Sequence, residues 1–130
     1  MTEDCCTPSE NIMLLPCSGG SNVGQLANQA AVELTQEGFG KIFCLAGVGA
    51  HLPGFVQSAK DVPEVIVIDG CEIGCGKAIF DHIEVTPKQY LVLTGLGIEK
   101  NKDFNLQRLD IEKVKEVIKG SCQEKEKAPA

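Results

Sequence analysis

With 130 residues, 43% of them hydrophobic, the chain suits one domain with a modest core and leaves little room for a second. A formal net charge of −6, no tryptophan, one tyrosine and no basic stripe interleaved with aromatics argue against a nucleic-acid partner. No apolar run has membrane-spanning length and the start does not resemble a signal peptide, so the expectation is a soluble, cytoplasmic protein with no membrane partner.

Residues 1–11 are polar and aperiodic and read as a flexible N-terminal segment, whose adjacent Cys5 and Cys6 are either an incidental pair or a catch for a soft ion. The domain proper spans 12–120. Its first strand is the apolar run 12–15, closed by Pro16, and the small-residue turn CSGGSN follows. Val23, Leu26, Ala27, Ala30, Ala31 and Leu34 then recur at spacings of three and four, an amphipathic helix capped by Ser21 or Asn22 and stopped at Gly38. The second strand, KIFCL at 41–45, runs into a second small-residue turn, 46–51. The crossover 52–63 has room for one or two helical turns.

Four β-branched residues, Val65 to Ile68, form a strand buried on both faces, and Asp69 and Gly70 end it. A helix follows to about residue 84. If its first turn includes both Cys71 and Cys75, the two thiols share one face. The fourth strand is 89–94, terminated by Gly95 and Gly97, and a loop through Asn101 and Asp103 leads to Asp110 as the cap of a last helix. Ile111, Val114, Val117 and Ile118 mark the apolar face of that helix up to Gly120. Residues 121–130 read as a solvated, flexible tail with Cys122 an exposed bystander.

Strands alternating with helices imply an α/β three-layer sandwich around a four-stranded parallel sheet, because parallel strands need crossover connections. Every loop after a strand then opens on the same edge. Those loops carry Cys17 with Gly19 and Gly20, Cys44 with Gly47, Gly49 and His51, Asp69 with Cys71 and Cys75, and Gly95 with Gly97. Ligands of open parallel sheets bind at this carboxyl edge. Seven cysteines in such a pattern point to metal or redox chemistry rather than to a disulfide framework.

Asp69-Gly70-Cys71 followed by Cys75 resembles the DGC domain family, which takes its name from the tripeptide, and the likeness runs from about residue 12 to 120. The resemblance implies a zinc-binding domain with four chelating cysteines, here Cys17, Cys44, Cys71 and Cys75, and implies no reaction. A protein partner is not indicated. Cysteines at the ends of neighbouring strands about 4.8 Å apart can share one ion, whereas a skipped strand puts them roughly 10 Å apart. A shared site therefore predicts the flavodoxin-like order 2-1-3-4, with Cys17 flanked on both sides, since the order 3-2-1-4 would need long loop excursions.

Other readings use the same residues. Cys44 suits a small buried hydrophobe as well as a ligand, His51 is either an alternative nitrogen donor or a solvated side chain, and Asp69 either orients a ligand or accepts N–H bonds of its own turn. An enzyme would use Cys17 as a nucleophile, since CSGGSNVG is similar to the phosphate loop of small cysteine phosphatases and related arsenate reductases. In the C-x₅-R pattern, however, the arginine position holds Val23. Thiol redox chemistry between Cys71 and Cys75, or of either with Cys17, needs no metal. No G-x-G-x-x-G follows the first strand, so dinucleotide binding has poor support.

Overall fold

The computed structural model describes the backbone of residues 11–127 and the side chains of 11–122. The segment that carries Cys5 and Cys6 lies outside the described residues. In chain order the elements are β1 (Ile12–Pro16), α1 (Asn22–Gln36), β2 (Lys41–Ile42), α2 (Leu45–Gly49), α3 (Pro53–Asp61), β3 (Glu64–Asp69), α4 (Cys75–His82), β4 (Gln89–Val92), a 3₁₀ turn (Leu93–Leu96) and α5 (Arg108–Lys127). The sheet is fully parallel in the order β2-β1-β3-β4, as the shared-site argument predicted.

Alternation along the two central strands divides the core. Ile12, Leu14, Ile66 and Ile68 face α1 and α5, where they pack with Leu26, Ala30, Val114 and Ile118. Met13, Leu15, Val65 and Val67 face the other way, onto Leu45, Val48, Ala59 and Phe80 of α2, α3 and α4. With helices on both faces, β1 and β3 are buried at every position, which is why their sequences carry no polar alternation. Among the described residues no helix is long and apolar enough to cross a membrane.

Several boundaries differ from the sequence-based expectation. β2 holds only Lys41 and Ile42, and the turn expected at 46–51 is largely the short helix α2, with Cys44 at its N-cap. Small residues served there for close packing: a Cβ on Gly47 would lie 2.8 Å from the Phe55 ring. α5 begins at Arg108, so Asp110 sits in its first turn instead of capping it. It also passes through Gly120 to Lys127, and Cys122 is 2% exposed. The tail expected at 121–130 is thus corrected to helix through 127, with Cys122 one step of four beyond Ile118 and buried instead of exposed.

Candidate functional site

The carboxyl edge of the sheet is assembled by close backbone approach. The start of α1 presses onto the exit of β3, where a Cβ on Gly70 would lie 2.7 Å from Gly24 N, and a Cβ on Gly24 would lie 2.5 Å from Gly19 N. Gly70 is therefore needed for space; its backbone is not in the left-handed region. This contact brings Cys17, one residue past β1, against the turn that carries Cys71. The Gly70 N–H donates to Cys17 Sγ at 3.3 Å, and Cys17 N–H donates to the Ile68 carbonyl at 3.0 Å.

Cys71 and Cys75 do not share a helical turn. Residues 71–74 form a separate turn closed by Gly74 N–H on the Cys71 carbonyl at 3.1 Å, and α4 starts only at Cys75. Gly74, its N-cap, has φ 71°, a conformation that L side chains rarely adopt. Lacking a capping side chain at that position, α4 borrows Asp69 from the end of β3. One carboxylate oxygen accepts from Gly76 N–H at 2.8 Å, the other from Lys77 N–H at 3.0 Å and from the Tyr90 hydroxyl at 2.7 Å. Asp69 thus accepts the N–H bonds at the start of the helix that carries Cys75, and it is 1% exposed.

The four rim cysteines Cys17, Cys44, Cys71 and Cys75 are free thiols. Cys17 and Cys71 are half-buried, whereas Cys44 and Cys75 are exposed, so Cys44 is no buried hydrophobe. Burial pushes the Cys17 thiol above its ordinary value; N–H donation from Gly70 and Gly19 pulls the other way, and the nearby Asp69 and Cys75 reinforce the rise. The Tyr90 hydroxyl is also raised, by burial first and by its bond to Asp69 second, and stays a proton donor. Lys100 Nζ reaches Cys71 Sγ at 3.3 Å.

Lys100 reaches the rim because the loop after β4 folds back over α1. Asn22 pins it: its side-chain amide donates to the Glu99 carbonyl at 2.8 Å, and its side-chain oxygen accepts from Asn101 N–H at 2.6 Å. Lys102 adds a bond to the Gly20 carbonyl at 2.6 Å. These residues were not expected at the site, and only the placement of β4 beside β3 explains them. Of the two candidate caps, Ser21 and Asn22, Ser21 holds the position, its hydroxyl accepting from Gly24 N–H at 3.2 Å. His51, expected near Cys44, follows α2 and packs its ring against that of His82, with centroids 4.8 Å apart. Among the described residues, no three histidine, cysteine or carboxylate side chains are so placed as to hold a metal ion.

Residues 13–118 match the DGC domain family. The chain belongs to the DGC domain family. A relative in Pseudomonas aeruginosa, the anaerobic and virulence modulator AnvM, is 33% identical over 102 residues, which span 78% of each chain. No solved structure matches. The match takes in the Asp69-Gly70-Cys71 turn, Cys75, and the Cys17 and Cys44 loops, so the whole DGC rim lies within it.

Proposed function

We propose that this DGC domain is a metal-binding module in which the thiols of Cys17, Cys44, Cys71 and Cys75 take a soft or borderline divalent ion, zinc first among them. The observation that carries the reading is the 3.3 Å contact between Gly70 N–H and Cys17 Sγ. It sets a sulfur from one strand end directly beside the residue preceding Cys71, 54 positions further along the chain. The donor chemistry fits: four free thiols surround one edge, and the Gly70 N–H aimed at Cys17 Sγ and the Lys100 ammonium at Cys71 Sγ favour the charged sulfur that a metal ligand requires, partly offsetting the burial that raises Cys17.

Ligation asks for movement, since the side chains do not already enclose an ion. The exposed side chains of Cys44 and Cys75 have room to supply it by rotation. When bound by all four thiols, the metal would tie loops after three neighbouring strands together in a closed site. Asp69, by holding the start of α4, positions Cys75, and Lys100 donates to Cys71.

The name of AnvM describes a modulator, and a regulatory module suits this rim better than a thiol enzyme does. Val23 leaves the Cys17 loop without a guanidinium for an oxyanion, which a phosphoryl-transfer nucleophile would need. Metal analysis of purified protein, paired with thiol titration, tests the reading. It predicts one zinc per chain with the rim thiols masked, and loss of metal in Cys17→Ser and Cys71→Ser. Metal-free protein whose rim thiols stay open to reagent after zinc is added would instead support thiol redox chemistry at Cys71 and Cys75.

A further inference from the structure

Away from the rim, the chain's two histidines meet. Gly49, the last residue of α2, lies so near α4 that a Cβ there would approach Ile79 Cδ1 to 2.9 Å. Two residues later His51 turns back with φ 61°, the left-handed region that a non-glycine residue adopts at a cost. The result is a pair of imidazoles, His51 after α2 and His82 closing α4, with centroids 4.8 Å apart and ring planes at 70°. Both are solvent-exposed, and they line a hollow with Gly49, Ala78 and Ile79. Among the described residues neither ring makes a hydrogen bond, so the ring nitrogens are uncommitted.

We propose that His51 and His82 form a second metal site, a two-imidazole clamp for late first-row divalent ions such as Zn²⁺, Ni²⁺ or Cu²⁺, with water completing the coordination. Imidazole nitrogen is the donor those ions share a preference for. An ion held at about 2.0–2.1 Å by one nitrogen of each ring, at bond angles from square to tetrahedral, sets the ring centres roughly 4.5–5.2 Å apart. The observed 4.8 Å lies inside that interval. The tilt between the rings matters too, because stacked imidazoles could not aim nitrogens at one point between them. No third histidine, cysteine or carboxylate joins the pair among the described residues, which leaves the site open to solvent and exchangeable. It is distinct from the thiol rim: His82 lies seven residues beyond Cys75 on α4, about 10 Å along the axis.

With only two histidines in the chain, their ring signals in NMR report the site directly. Titration of the full chain with zinc chloride should move both sets of ring signals with one common half-saturation point. His51→Asn, which retains a residue tolerant of the left-handed backbone, should raise the half-saturation for His82 roughly tenfold or more, and His82→Gln should do the same for His51. The Cys17→Ser/Cys71→Ser double variant should leave the ring response in place, so failure of the thiol reading would not be mistaken for failure of this one. Rings that stay still on adding zinc, or that keep their half-saturation when the other is replaced, would overturn the proposal.

Discussion

At Cys17, two opposing effects meet: burial raises the thiol while two backbone N–H groups favour its ionised form, and burial is the larger. In chelator-treated protein, alkylation of Cys17 should lag behind that of the exposed Cys44 at neutral pH and accelerate only above the ordinary thiol range. Peptide mass spectrometry across pH measures this, and equal rates at neutral pH would remove the asymmetry. Asp69 carries a different load, accepting three hydrogen bonds while almost fully buried. Asp69→Ala should cost about 2–3 kcal/mol in denaturant unfolding, since it leaves two N–H groups and a hydroxyl without their acceptor. Tyr90→Phe, which removes a single donor, should cost about 1–2 kcal/mol. If both variants cost the same, the backbone bonds to Asp69 contribute nothing.

Among the elements, the central ones were legible in the sequence and the peripheral ones less so. The run from Val65 to Ile68 announces a strand buried on both faces, and the three-and-four spacing from Val23 to Leu34 announces α1, because in each the apolar pattern itself is the packing surface. The turn at 71–74 was not legible. A glycine in the left-handed region and a cap supplied from six residues upstream leave no local signature. α5 misled for the opposite reason, as Gly120 looks like a stop although a helix held by Ile111, Val114 and Ile118 can run through it. The lysines near the rim were invisible, since nothing in the loop after Gly97 shows that Asn22 will pull it over the start of α1.

Over the whole molecule, the last helix is held to the first by charge as well as by apolar contact. Arg108 Nη1 and Nη2 pair with Glu33 at 2.7 and 3.0 Å, and the buried Lys115 reaches the same carboxylate at 3.0 Å and Glu37 at 2.5 Å. Arg108, together with Gln29, holds the Glu33 carboxyl down at about 2, against an ordinary value of 4.5. The unfolded chain therefore binds the proton first, and the stability this group contributes is present above pH 4.5 and lost as pH falls towards 2. Glu33→Gln should be less stable at pH 7 and show a shallower acid loss in that window; an unchanged acid profile would show that the cluster is not coupled to folding. The strand order was also foreseeable, because the expectation of one ion shared by Cys17, Cys44, Cys71 and Cys75 favours few topologies, and the sheet adopts one of them, β2-β1-β3-β4. Whether those sulfurs close on an ion is the claim on which the functional account depends. X-ray absorption at the zinc edge of the His51→Asn/His82→Gln variant, loaded with one equivalent of zinc, tests it most directly. The account predicts a shell of three or four sulfurs at about 2.3 Å, and a shell of oxygen and nitrogen alone would contradict it.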